Sequence, residues 1–213
     1  MILAALLGGC AVVAAQVSGS PVRHVRERPG WPIADAIRAG EEALVVESMT
    51  DPGLEIRPGP GVSQIEWATK GAPAIVVVDV LSIEGELTPR QDWIRSNVTA
   101  SLVDILKLPK EWSPKIADLV TFDMSGGEAY VGGTKVLASV PSSRPMEVGK
   151  RYLMFVGPPV ASPNRLRGEP YSAIYEMTES GGFRRLSPSG RGPDDIETTE
   201  QAVVLMRIRD AVQ

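Results

Sequence analysis

Asp92–Lys107, DWIRSNVTASLVDILK, is the stretch that decides the fold. Ile94, Ser96, Val98, Ala100 and Leu102 fall on one side of an extended chain, with Arg95, Asn97, Thr99 and Ser101 on the other. Side chains alternate between the two faces of a strand, so this segment reads as a strand with one face covered and one partly wet. After Leu102 the alternation slips: Val103, Ile105 and Leu106 are apolar, with Asp104 among them. One extra residue near Val103–Asp104, a β-bulge, returns the apolar set to the core and bends the strand.

The neighbouring segments fit the same sheet. Ala74–Ile83, AIVVVDVLSI, is rich in β-branched residues and apolar on both sides except at Asp79 and Ser82. Arg151–Val156, RYLMFV, follows a turn at Glu147–Lys150 and is also apolar on both sides. Strands of this kind are buried on two faces. Asp118–Met124 reads as another strand. Ala129–Ala138 reads as one kinked strand or two short ones, because Gly132 and Gly133 interrupt it. Tyr171–Met177 and Phe183–Leu186 form a hairpin through Ser180-Gly181-Gly182.

Helices are few. Ile33–Thr50 is ambiguous: Ala34 and Ile37 have helical spacing, Gly40 interrupts, and Ala43–Glu47 has strand character. Ser63–Lys70 is a short helix on the N-terminal side, with Ser63 as N-cap and Glu66 placed as in a capping box. Thr198–Val212 is the strongest helix, with Thr198 and Gln201 as its capping box and Val204, Leu205, Ile208, Ala211 and Val212 on one face.

The chain before these elements has a different character. Met1–Ala15, MILAALLGGCAVVAA, is apolar or small throughout. It is shorter than the ~20 residues that span a bilayer and matches the core of an export signal, although it lacks the usual positively charged start. Two processing readings stay open. Leu7-Gly8-Gly9-Cys10 resembles a lipoprotein lipobox, with Cys10 lipidated and the membrane as partner. Val13-Ala14-Ala15 resembles an ordinary signal-peptidase site. Gln16–Pro32 has no hydrophobic period and holds Arg23, His24, Arg26 and Arg28, so it is expected to be a flexible spacer. One β domain, 33–213, follows.

Several short strands with hairpin-sized links and a terminal helix imply a mainly β fold. The expectation is a small antiparallel barrel of about six or seven strands, because closure hides sheet edges. Val76–Val80, Ile105-Leu106-Lys107, Gly126-Gly127, Gly149–Phe155 and Gly181-Gly182-Phe183 occur in an order similar to that of uncharacterised exported bacterial proteins. The domains of that group look like OB-type or tissue-inhibitor-of-metalloprotease-like barrels. The resemblance covers about Ser63–Leu186 and departs at Leu108-Pro109, where the group has a Gly after the Lys. It implies a barrel and carries no activity.

The chemistry is sparse. The formal charge is −4, from 22 basic and 26 acidic residues, which gives no reason to expect nucleic acid as a partner. The single His lies in the spacer and the single Cys in the export signal. A nucleophile–base pair of the serine or cysteine type is therefore not expected. No Gly-rich phosphate loop occurs, and no cofactor or metal is assigned. Asp79 and Asp104 each interrupt an apolar strand and are the candidates for carboxylate chemistry of the kind that hydrolyses glycans. Glu84, Glu86 and Asp92, or Asp194, Asp195 and Glu197, would be the oxygen donors for calcium, without the spacing of a known motif. Trp93 and Trp112 flank the organising strand and are the candidate ligand contacts, with burial as lids over the core as the alternative.

These features lead to an exported, non-enzymatic protein of the cell envelope. It is periplasmic or held at the membrane through Cys10, or alternatively secreted, and binds a protein or another envelope component. The other reading is a carboxylate-based hydrolase of envelope glycans.

Overall fold

The computed structural model describes residues 23–26, 32–40, 42–47, 63–139, 144–157, 165–166, 173–186 and 194–213. Met1–Ala15, with Cys10 and both processing sites, lies outside them.

Among the described residues, eleven strands form two sheets. The first four elements are β1 (Arg23–Arg26), α1 (Pro32–Ala39), β2 (Ala43–Glu47) and α2 (Gln64–Gly71). β3 (Ala74–Leu87), β4 (Ile94–Lys107), β5 (Leu119–Ser125), β6 (Gly127–Val131), β7 (Thr134–Ser139) and β8 (Arg151–Val156) follow. β9 (Arg165–Leu166), β10 (Ala173–Met177), β11 (Phe183–Arg185) and α3 (Gln201–Val212) complete the fold. The larger sheet has the order β11-β10-β8-β3-β4-β5-β9 and the smaller β1-β2-β7-β6.

The mainly β, largely antiparallel architecture with helices on the N- and C-terminal sides is as the sequence implies. Closure is not. Each sheet runs between two edge strands that do not pair with one another. Helices cover one apolar face of the larger sheet, and on the other its own strands gather with Trp112, Met146 and Leu186 from outside the strands, instead of forming a closed ring. Residues of α2 and α3, Ile65, Val204 and Ile208, pack with Ile75, Val77, Leu106, Leu153 and Phe155 on one side of the larger sheet. On its other side Val76, Val78, Val98, Leu102, Phe122, Tyr152 and Met154 form the main core.

The slip in β4 is a bulge where the alternation places it. Val78 pairs with Leu102 and Val77 with Asp104, so Val103 has no partner in the register. As a result Ile105 packs with Leu102 in the main core, while Val103 and Leu106 face the helices. Asp104 Oδ1 accepts from the Ile105 N–H at 2.9 Å, which satisfies a donor that the bulge perturbs.

Two glycines let the sheets meet. A Cβ on Gly85 of β3 would lie 1.8 Å from the carbonyl oxygen of Glu128 in β6. Gly127 has φ +120°, and its Cβ would lie 1.9 Å from Ser96 Oγ. The Ser96 hydroxyl donates to the Gly126 carbonyl at 2.8 Å and is buried. β6 therefore runs against the β3–β4 hairpin at a distance only a residue without a side chain allows.

The smaller sheet corrects the spacer. Within Gln16–Pro32, Arg23–Arg26 is a strand that pairs in parallel with β2, which in turn is parallel to β7. With α1 between β1 and β2 this is a strand–helix–strand unit, and Pro32 opens its helix. Leu44, Val46, Ala129, Val136 and Ala138 face inward onto Ile33 and Ile94. Of the two readings of Ala129–Ala138, two short strands is the one the structure has: Gly132 and Gly133, both with positive φ, form the turn of the β6–β7 hairpin.

The helix starts divide. Ser63 Oγ accepts from the Glu66 N–H at 3.4 Å and caps α2 as expected. The Thr198–Gln201 capping box does not form: α3 begins at Gln201, and the Thr198 hydroxyl donates to the Asp195 carbonyl at 3.2 Å. Gln201 Nε2 instead donates to the Thr178 and Gly182 carbonyls at 2.9 and 2.8 Å, fastening α3 to the β10–β11 turn.

Candidate functional site

The two tryptophans separate. Trp112 is 4% exposed and belongs to the main core, so its ring has no open face for a ligand. Trp93 is half-buried against the core of the smaller sheet, and its indole N–H donates to Ser125 Oγ at 2.9 Å. Trp112 thus packs as the alternative reading has it, while Trp93 packs on the smaller sheet's core and keeps part of its surface exposed.

The carboxylates are also committed. Asp79 receives two hydrogen bonds from Arg151, at 2.7 and 2.9 Å. Those bonds hold its carboxyl below the usual range, against a smaller opposing effect of burial. Asp104 Oδ2 accepts from Arg209 of α3 at 2.6 Å. Each acid has its own arginine, so neither stands as a free acid–base group. Among the described residues no three His, Cys, Asp or Glu side chains gather where they could hold a metal ion. Glu86 pairs with Arg95, and Asp92 accepts from the Thr88 hydroxyl at 2.7 Å, so the proposed calcium loop is engaged internally. Glu197 Oε1 accepts from the Arg185 N–H at 2.9 Å. A cleft of about 360 Å³ between α2 and α3 is lined by Glu66, Lys70, Arg207, Asp210 and Ala211, two acids against two bases.

Exposed large apolar side chains lie at several places, among them Ile116, Leu119 and Val148, and the outer face of the smaller sheet groups two of them on regular strands. Alternation dictates its make-up. Ala129 and Val136 face inward, so Glu128 and Tyr130 on β6 and Lys135 and Leu137 on β7 face outward. Register aligns Glu128 with Leu137 and Val45, and Tyr130 with Lys135 and Ala43. Tyr130 is 73% exposed and Leu137 40%. Lys135 Nζ lies 2.8 Å from Glu128 Oε2 and 6.0 Å from the centre of the Tyr130 ring. Hydrogen bonding to Glu128 raises the Lys135 pKa, with desolvation opposing it and the electrostatic influence of Glu128 and Tyr130 adding less. Lysine and glutamate thus neutralise one another, leaving Tyr130, Leu137 and the half-buried Val45 as the apolar content of the face.

Neither Tyr130 nor Leu137 stood out in the sequence. The alternation of Glu128-Ala129-Tyr130-Val131 carried the signal, but only a firm β6–β7 register turns it into a surface.

No protein-family model and no curated protein sequence matches the chain, so its function has to be read from its own geometry.

Proposed function

We propose that this chain is an exported, non-catalytic binding module of the cell envelope, and that the outer face of β2, β7 and β6 is its docking surface. The observation that carries the reading is Tyr130: a large aromatic side chain, 73% exposed, beside Leu137 on a regular sheet face. Exposed aromatic and aliphatic side chains grouped on a rigid element are the usual anchors of a recognition surface. The committed state of Asp79 and Asp104 favours binding over hydrolysis. The Met1–Ala15 sequence supports export, with Cys10 as the lipid attachment point, and the likeness to exported OB-type domains belongs to the same reading.

Two measurements test it together. Mass spectrometry of the mature protein should find a chain beginning at Cys10 or Gln16 in the envelope fraction. A photo-crosslinking residue at position 130 should capture an envelope component in cells, whereas one at Glu179 in the β10–β11 turn should not. A chain that keeps Met1 and fractionates with the cytoplasm would remove the reading.

A further inference from the structure

We infer that the component met by this face is the membrane itself: the outer face of the smaller sheet rests on the anionic headgroups of the bilayer to which a lipidated Cys10 fastens the mature chain. The inference rests on the binding-module reading and names its partner.

Three observations converge. The first is continuity. β1 is the edge strand of this same sheet, through its pairing with β2. Arg23, where β1 begins, follows Cys10 by the segment 11–22, which spans at most ~45 Å even when fully extended. The sheet that carries Tyr130 is therefore the part of the fold that follows Cys10 most closely along the chain.

The second is charge. Residues 16–32 contain Arg23, Arg26 and Arg28 against Glu27, a net of 3 − 1 = +2 with His24 neutral, in a chain whose total is −4. The remainder is thus at −4 − 2 = −6. A basic segment in an otherwise acidic protein, next to a membrane-directed leader, complements an anionic lipid surface and orients the acidic remainder away from it. His24 and Arg26 of β1 lie in register with Val45 and Glu47, in the strand next to β7.

The third is the chemistry of the face. Tyrosine combines an apolar ring with a hydroxyl and favours the headgroup level of a bilayer. Leu137 supplies the apolar contact, and the Lys135–Glu128 pair beside the Tyr130 ring leaves the face without net charge, so the attraction to anionic lipid comes from the basic segment that leads into β1. Nothing on the face needs a deep pocket, which suits a flat lipid surface better than a protein knob.

The test uses the mature chain lipidated at Cys10, reconstituted in vesicles of phosphatidylglycerol and phosphatidylcholine carrying a radiolabelled phospholipid. A benzophenone amino acid at position 130 or 137 should crosslink the labelled lipid several-fold more than one at Glu179. Raising the salt, or omitting phosphatidylglycerol, should cut that yield several-fold. As a second readout, hydrogen exchange across β6–β7 should slow in vesicles relative to detergent for the native chain, and less so for the Tyr130→Ser, Leu137→Ser variant. Equal lipid yield at 130 and 179, or a protein adduct at 130 in cells, overturns the membrane assignment while leaving the binding-module reading in place. Failure of export overturns both.

Discussion

Arg151 meets Asp79 across the β8–β3 ladder as its direct register partner, with its Nε 2.7 Å from one carboxylate oxygen and its Nη2 2.9 Å from the other. The fork is well aligned, but the side chains are 48% and 37% exposed, so solvent screens it. Asp79→Asn is expected to lower stability by only ~0.2–1 kcal/mol at neutral pH. The pH dependence follows from the depressed Asp79 pKa. The pair's contribution is present above the ordinary carboxylate value, about 4, and is lost as pH falls through the lower folded-state value. Urea denaturation of native and Asp79→Asn proteins should therefore differ at pH 5–7 and converge in acid. A difference that grows as pH falls would contradict the assignment.

Gly85 and Gly127 hold the junction between the sheets, and substitutions there should be far more costly than at glycines with open space around them. At Gly85 a methyl group would collide with the Glu128 backbone, which cannot rotate away. Gly85→Ala is expected to cost ~3–5 kcal/mol or to prevent folding. Gly149 has φ +82° but open space around its Cβ position. Gly149→Ala should cost only the backbone strain, ~1 kcal/mol. Thermal denaturation of the two variants side by side checks the contrast, and similar losses would mean that β6 does not approach β3 so closely.

The strands buried on both faces were legible because β-branched runs leave little choice: Val76, Val77 and Val78 pack alternately on two cores. The bulge at Val103 was legible because one slip in an alternating pattern has one simple remedy. β1 was not. Arg23–Arg26 has no apolar period, and its strand state comes from backbone pairing with β2, which local sequence does not encode. Closure was over-read for a related reason. Two-sided burial demands cover on both faces, yet it does not say whether a ring, a helix pair or a second sheet provides it. The face proposed for docking was not legible because Tyr130 and Leu137 come onto adjacent strands only once Gly132-Gly133 sets the β6–β7 register.

Trp112 gives a test of core against contact. It is buried in the main core, and its indole N–H meets no acceptor among the described residues. Replacement by phenylalanine removes no hydrogen bond and mainly reduces volume. Trp112→Phe should therefore cost ~1–2 kcal/mol, against ~3–5 kcal/mol for Trp112→Ala. Equilibrium unfolding of both variants measures the gap. Variants of unchanged stability that lose lipid or partner binding would return Trp112 to the role of a ligand contact.

Lys107 closes the C-terminal end of α2 from the last position of β4. Its ammonium donates to the Thr69 carbonyl at 2.6 Å and the Lys70 carbonyl at 3.1 Å. These carbonyls belong to the last turn, where the helix itself provides no donors and a cation is favoured. Partial burial opposes the charge and lowers the lysine pKa. The two effects act in opposite directions, so the net loss in Lys107→Met should be moderate, ~1–2 kcal/mol. The sign of the pH effect separates them. A lysine with a lowered folded-state pKa binds fewer protons folded than unfolded between the two values, so its contribution grows more favourable as pH rises through that window below about 10.4. The native protein should therefore gain stability relative to Lys107→Met between pH 8 and 10. A steady decline in that difference over the same range would show that the helix-end bonds, and not desolvation, set the proton affinity of Lys107.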